Sequence, residues 1–175
     1  MTGVKENIDW FKGLEILTEN YSIAIDMCRS MAQKPSGWLV LQGPVGTGKT
    51  TLARAILSHW RGKLTEPTTS SELLMEWRSN IKVPDFEEKY LAQCDASAMV
   101  LDDLGVERVT DWVAERLSSY LNWRYARRLP TVITTNCDEN TLAAHVDERL
   151  ADRVFDRRSG LVRIVTLDVP SFRRG

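Results

Sequence analysis

Short apolar runs alternate along the chain with segments in which apolar residues recur every three or four positions. The continuous runs predict buried strands at 38–42, 98–101, 131–135 and 161–167. The helical spacing predicts helices over 50–60, 70–79, 84–93, 110–128 and 147–157, with Pro84 in a first turn and Thr110 as an N-cap. Helices of this length between strands indicate parallel βαβ units, so the pattern predicts an α/β sandwich.

Composition narrows the class of protein. The chain has 175 residues, 43% of them hydrophobic and 27% charged, which is typical of one folded domain. A net charge of -1 gives no global attraction for polyanions, so any polyanion site must be local. No apolar stretch approaches the roughly 20 residues of a membrane span, and Asp9, Lys12 and Glu15 interrupt any secretory signal. Cys28, Cys94 and Cys137 lack metal-ligand or disulfide spacing, which favours reduced thiols in a cytoplasmic protein.

The strongest motif lies between the strand at 38–42 and the following helix, and it matches GxxxxGK[ST] at every fixed position. Its residues are Gly43, Pro44, Val45, Gly46, Thr47, Gly48, Lys49 and Thr50. Such a loop curls so that backbone N–H groups converge on phosphate oxygens at the positive end of the helix. We expect Lys49 to reach the β- and γ-phosphates of ATP, Thr50 to ligate Mg²⁺, and Thr51 to contact the α-phosphate or cap the helix. The alternative is a glycine-rich turn without a ligand.

A pair of carboxylates follows the apolar run at 98–101. Asp102 would hold the magnesium ion and Asp103 would polarise the attacking water, although both could simply be acidic caps after a buried strand. Many ATPases carry the longer Glu where this chain has Asp103, so slow turnover is our hypothesis. Asn136 ends the strand at 131–135, where it would sense a γ-phosphate or form an ordinary turn.

The chain resembles AAA+ helicase loaders of the DnaC/DnaI type and the closely related IstB-like transposition ATPases. The resemblance runs from about Asn20 to Arg173, and its most specific segments are 100–105, 122–125, 130–136 and 148–153. It implies an αβα P-loop NTPase fold with a five-stranded parallel sheet and no C-terminal lid. It divides the chain into a short N-terminal segment, 1–20, and an AAA+ ATPase domain, 21–175.

The resemblance also implies roles for individual residues. Asn136 looks like sensor 1, Arg153 like the arginine finger that reaches a neighbouring subunit's γ-phosphate, and Arg173 like the sensor 2 arginine. Arg149 is the second candidate for the finger. A finger supplied by another subunit would make hydrolysis depend on assembly, and on spacing alone a solvated basic helix face explains Arg149 and Arg153 equally well.

By this resemblance the chain is an ATP-dependent helicase loader of DNA replication that forms a homo-oligomer, binds single-stranded DNA and delivers a replicative helicase, without contacting a membrane. The alternatives are an IstB-like regulator that binds duplex DNA and a transposase, and less plausibly a P-loop small-molecule kinase or a nucleotide-gated interaction module.

Three further groups of residues bear on nucleic acid, on the core and on the nucleotide. A cluster formed by Arg124, Arg127 and Arg128 fits either DNA or a subunit interface. Four tryptophans fall on apolar periods and are predicted core residues, namely Trp38, Trp60, Trp112 and Trp123. Trp10 and Phe11 are predicted to cover the adenine.

Overall fold

A five-stranded parallel sheet forms the centre of the fold in the computed structural model, which describes residues 9–12, 14, 19–106 and 110–172. The strands lie in the order β2-β3-β4-β1-β5. Their bounds are β1 (Trp38–Gln42), β2 (Thr68–Thr69), β3 (Met99–Leu104), β4 (Thr131–Thr135) and β5 (Val162–Thr166). The predicted α/β fold with five parallel strands is confirmed.

Seven helices in the described part of the chain cover both faces of this sheet. They are α1 (Glu19–Gln33), α2 (Lys49–Arg61), α3 (Ser70–Asn80), α4 (Phe86–Cys94), α5 (Asp111–Ala126), α6 (Glu139–His145) and α7 (Glu148–Val154). None of the described helices is long and apolar enough to span a membrane.

Alternation along the strands separates two apolar cores. Trp38 and Val40 of β1 pack into a cluster with α3 to α7, whereas Leu39 and Leu41 pack into a second cluster with α1 and α2. All four side chains are fully buried, so each face of the central strand is covered by helices. Trp38 is the only fully buried tryptophan of the four predicted core residues, because Trp60, Trp112 and Trp123 are half-buried at the margins of these clusters.

The predicted helix over 147–157 extends three residues too far at its C-terminal end, since α7 ends at Val154. The Asp156 carboxylate explains the end, because it accepts hydrogen bonds from the backbone N–H groups of Arg158 (2.9 Å) and Ser159 (3.2 Å). Those donors would otherwise bond backbone carbonyls four residues back in a continuing helix, so the side chain competes with the helix and stops it.

Pro84 was predicted in the first turn of a helix, and it lies instead in the turn before α4. The backbone N–H of Phe86 donates to the Val83 carbonyl at 3.0 Å, which closes this turn, and the helix begins at Phe86 after Asp85. The sequence prediction also missed α1, α6 and the two-residue strand β2.

Arg124 is a structural residue, which settles the open interpretation for this member of the basic cluster only. Its side chain is completely buried and donates to Thr131 Oγ1 (3.0 Å) and to the carbonyls of Cys94, Ala96 and Pro130 (2.8–2.9 Å). Burial lowers the pKa of its guanidinium. The side chain therefore joins the segments that lead into β3 and β4 and is not available to a polyanion.

Candidate nucleotide site

The loop of residues 43–50, the P-loop, connects β1 to α2 at the carboxyl end of the sheet. Gly46 and Gly48 take left-handed backbone angles, with φ of 86° and 88°. Gly48 is also the N-cap of α2, and no described side chain caps that helix. The first N–H groups of α2 and its positive dipole end thus remain available for an anionic ligand.

Two of these glycines are required by close contacts as well as by their backbone angles. A Cβ at position 46 would lie 2.1 Å from Ser171 Oγ, and a Cβ at position 48 would lie 2.7 Å from the Tyr21 hydroxyl oxygen. The backbone N–H of Phe172 donates to the Gly46 carbonyl at 2.9 Å. The segment after β5 is therefore packed directly against the P-loop.

Lys49 and Thr47 stabilise the curled loop from within. The buried Lys49 ammonium donates to the carbonyls of Gly43 (2.8 Å) and Pro44 (2.7 Å), and the Thr47 hydroxyl donates to the Pro44 carbonyl at 2.9 Å. Lys49 also lines the crevice in front of the loop, whereas Gly43, Pro44 and Thr47 contribute to its shape without lining it.

Asp102 lies behind the P-loop and is joined to it by a hydrogen bond. Its carboxylate is 3% exposed and accepts from the hydroxyl of Thr50 at 3.2 Å and from the hydroxyl of Thr134. One oxygen of this buried carboxylate thus accepts hydrogen bonds both from Thr50, the predicted magnesium ligand, and from Thr134 of β4. Hydroxyl and carboxylate oxygens are the ligands that Mg²⁺ prefers, so this donor set fits the ion.

Asp103 lines the crevice, whereas Asp102 does not, and β3 contains a bulge at these residues. The register of β3 with β4 shifts between Leu101 and Leu104, and Asp103 has a φ of 55°, in the left-handed region. Its backbone N–H donates to Thr134 Oγ1 at 2.9 Å, which holds this conformation. The sequence predicted a strand ending at Leu101, whereas β3 continues through both carboxylates to Leu104.

The crevice has a volume of about 460 Å³ and combines the predicted residues with three that were missed. Predicted residues that line it are Val45, Gly46, Gly48, Lys49, Thr50, Thr51, Asp103 and Asn136. Those missed are Leu14, Tyr21 and Phe172, which form its apolar wall, with the rings of Tyr21 and Phe172 5.7 Å apart. Tyr21 and Phe172 lie near the two ends of the segment that resembles helicase loaders. Nothing in the local sequence around either residue indicated that the two side chains meet.

Trp10 and Phe11 lie away from the lining of this crevice. Phe11 is buried in the core cluster of α1 and α2, with the Arg29 guanidinium 5.8 Å from its ring centre, and Trp10 packs on the same cluster. Arg173 lies outside the described residues.

Arg153 and Arg149 line a separate depression of about 430 Å³ between α5 and α7. The Arg153 guanidinium pairs with Asp152 and lies 5.2 Å from the ring centre of Tyr125. Neither arginine lines the nucleotide crevice of its own chain.

This fold and this crevice define a P-loop nucleotide-binding domain on a parallel sheet. The chain belongs to the AAA family, because residues 38–168 match the AAA domain (dynein-related subfamily).

Individual relatives are more specific. The chain is 28% identical to the replicative helicase loader DnaI of Bacillus subtilis (strain 168), over 74% of this chain and 45% of that protein. The crystal structure of the DnaC helicase loader covers 93% of this chain with a TM-score of 0.76 and 21% identity, and the match spans 98% of that structure. The crystal structure of DnaI has a TM-score of 0.69 and 25% identity, with 88% of each chain covered.

These matches confirm the resemblance to helicase loaders of the DnaC/DnaI type. The chain spans about half the length of the curated relatives it matches.

Proposed function

We propose that this chain hydrolyses ATP with Mg²⁺ in a homo-oligomer that binds single-stranded DNA and delivers a replicative helicase. The observation that carries the proposal is the meeting of the P-loop, the Thr50–Asp102 hydrogen bond, Asp103 and Asn136 around one crevice. The similarity to DnaI supports the loader part.

The polar groups around the crevice have proposed roles that follow from their charge and hydrogen-bonding capacity. The backbone N–H groups at the start of α2 and the Lys49 ammonium would bind phosphate oxygens. Asn136 would orient the terminal phosphate through its amide, and the Asp103 carboxylate would accept a proton from the attacking water. Thr50 and Asp102 would hold Mg²⁺, which when bound neutralises charge on the β- and γ-phosphate oxygens.

A second cationic side chain, in addition to Lys49 and Mg²⁺, would stabilise the charge that develops on the phosphoryl group. Among the described lining residues of the crevice, Lys49 is the only cation. Arg153 is 38% exposed at the end of α7 and lies outside its own crevice, so a neighbouring subunit would present it as an arginine finger. Arg149 in the same depression is the second candidate.

A mixing experiment tests both the site and the finger. Lys49→Ala removes the phosphate-binding ammonium but keeps Arg153, whereas Arg153→Ala keeps the whole crevice. Each variant alone should be nearly inactive in phosphate release, since loss of a finger costs about 10³- to 10⁵-fold. A mixture should regain activity, because subunits with an intact crevice would receive Arg153 from their Lys49→Ala neighbours.

Arg157→Ala is the matched control, since it also removes an arginine from the region of α7, and Arg149→Ala tests the second candidate. If Arg153→Ala alone retains wild-type turnover, Arg153 is not the finger, and loss of turnover in Arg149→Ala would transfer the role to that residue. If wild-type protein fails to bind Mg²⁺–ATP in calorimetry, the proposed function is wrong.

The loader activity is tested by its partner. Tagged protein with a non-hydrolysable ATP analogue should recover a hexameric helicase from its host and transfer it to circular single-stranded DNA. Recovery of a transposase, together with a preference for duplex DNA, would instead favour the transposition regulator. ATP-dependent phosphorylation of a small molecule would favour the kinase.

A further inference from the structure

Three loops at the amino end of the sheet carry a concentration of positive charge. Residues 34–37, 127–130 and 155–161 lead into the adjacent strands β1, β4 and β5, and we call them together the basic edge. The basic edge holds five cations and one carboxylate, a net charge of +4 in a chain whose total is -1. The cations are Lys34, Arg127, Arg128, Arg157 and Arg158.

Contacts between the loops show that this edge is one continuous surface. The Thr131 N–H donates to the Gly37 carbonyl (3.1 Å), and the Trp38 N–H donates to the Leu161 carbonyl (2.9 Å). Between the loops lies a depression of about 440 Å³ that Arg128 and Arg163 line together with Gly37 and Gly160. Arg163 is held in place by a hydrogen bond to the Ser36 carbonyl at 3.2 Å.

Most of this charge has no acidic counterpart. Among the described residues, Lys34, Arg128, Arg157 and Arg158 form no ion pair with a carboxylate. The one carboxylate of the edge, Asp156, already accepts hydrogen bonds from the Tyr125 hydroxyl and from two backbone N–H groups. Exposed arginines without internal partners suit phosphate oxygens, which they bind with charge-assisted hydrogen bonds.

An ordinary structural explanation also exists. Helices α1, α5 and α7 end at this edge, and cations near helix C-termini are stabilising by about 0.3–1 kcal/mol each. That effect is confined to the last turn, whereas Arg128, Arg157 and Arg158 lie two to four residues beyond the helix ends. Helix dipoles therefore do not account for the arginines farthest from the helices.

We propose that the basic edge binds the phosphodiester backbone of a nucleic-acid strand. This inference rests on the proposed function and adds the place where the DNA binds. The nucleotide crevice lies at the opposite end of five-residue strands, about 16 Å away at 3.3 Å per residue, so both ligands can bind at once.

The test is fluorescence anisotropy with a labelled thymidine oligonucleotide and with a duplex hairpin of similar length, using the full chain. The test variant is Arg128→Gly with Arg158→Ala. Arg128 has a φ of 54°, so glycine removes the cation and suits the backbone. If two phosphate contacts are lost, binding at about 0.1 M salt should weaken about 25-fold, and the slope of log K against log salt should fall by about 1.4. The two DNA arms show whether the phosphates come from one strand or from a duplex.

Lys82→Ala with Lys89→Ala is the matched control, because it removes two exposed cations from the region of α4 and should leave DNA affinity within about twofold. Arg128→Lys with Arg158→Lys keeps the charge and should retain most of the binding. Equal weakening in the control, or an unchanged salt slope in the test variant, would overturn the proposal. A falling melting temperature with unchanged DNA affinity would assign the arginines to helix stability.

The outcomes also separate this inference from the function on which it rests. If wild-type protein binds DNA and the test variant binds it equally well, only the basic edge is excluded. If wild-type protein binds neither the single-stranded nor the duplex DNA, whether or not nucleotide is present, the proposal that this chain binds DNA is wrong.

Discussion

The two ends of the sheet carry their positive charge in different ways. At the carboxyl end, the crevice combines backbone N–H groups, the buried Lys49 and the Asp103 carboxylate, and left-handed residues and a bulge contribute to its geometry. At the amino end, long arginine side chains project from loops, and Arg124 is the only buried arginine in the described part of the chain. A site for one small ligand needs converging groups held by the fold, whereas a surface for a polymer needs charge spread over several loops.

If the carboxyl end is the catalytic one, Asp103→Asn should abolish turnover while leaving the fold intact. We expect phosphate release to fall by about 10²- to 10⁴-fold, because the amide cannot accept the proton of the attacking water. ATP affinity should change little, since Asp103 is not predicted to bind phosphate or metal. Asp111→Asn in the first turn of α5 is the control and should keep turnover. Retained turnover in Asp103→Asn would remove this carboxylate from the mechanism.

Arg124→Met separates the structural arginine of the amino end from its exposed neighbours. The free energy of unfolding should fall by about 3 kcal/mol or more, because the carbonyls of the buried Cys94 and of the partly buried Ala96 and Pro130 lose their donor. Arg127→Met should cost less than about 1 kcal/mol, since Arg127 is about half exposed and its pair with Asp95 spans 3.9 Å. Urea unfolding of both variants measures the difference. Equal losses would mean that Arg124 contributes no more than a surface residue.

Two variants compare a residue of the apolar crevice wall with a residue that the sequence predicted to cover the adenine. Phe172→Ala should weaken ATP binding about tenfold, because a ring that lines the crevice loses its contact with the ligand. Trp10→Ala should lower stability without changing ATP affinity, since Trp10 packs on the core of α1 and α2. Calorimetric titration of both variants tests this. If Trp10→Ala weakened ATP binding and Phe172→Ala did not, the prediction that Trp10 covers the adenine would be supported.

The smallest expected effect concerns acid stability at the amino end. Hydrogen bonds from the Tyr125 hydroxyl and from backbone N–H groups lower the pKa of Asp156 from 3.8 to about 2. A depressed folded-state pKa stabilises the fold above about pH 4 and loses that contribution as the pH falls through 2. The gap in unfolding free energy between wild type and Asp156→Asn should therefore shrink from pH 4 to pH 2. A gap that stays constant would show that these bonds do not depend on ionisation.

Local patterns predicted much of the fold because their causes lie within one element. The bounds of β1 and β4 were predicted without error, since both are continuous apolar runs between polar loops. The two-residue strand β2 carries too little pattern to be recognised. The end of α7 was missed because it depends on one side chain, Asp156, that accepts two backbone hydrogen bonds.

The residues of the candidate site also divide into those that the local sequence predicts and those that it does not. The P-loop and both aspartates could be predicted, because spacing within a short segment determines them. Tyr21 and Phe172 could not, because residues about 150 positions apart meet only after the sheet has formed. The nearly equal local surroundings of Arg124 and Arg127 gave no sign that one is buried and the other exposed.

The amino-acid sequence by itself determined the phosphate-binding loop, the acidic strand end, the central strands and the parallel α/β class. Only the tertiary structure decided which carboxylate faces the crevice, which arginine is buried and which loops combine into a basic edge. The reason is physical: spacing and backbone preference act between near neighbours in the chain, whereas burial and convergence depend on elements that the sequence keeps far apart.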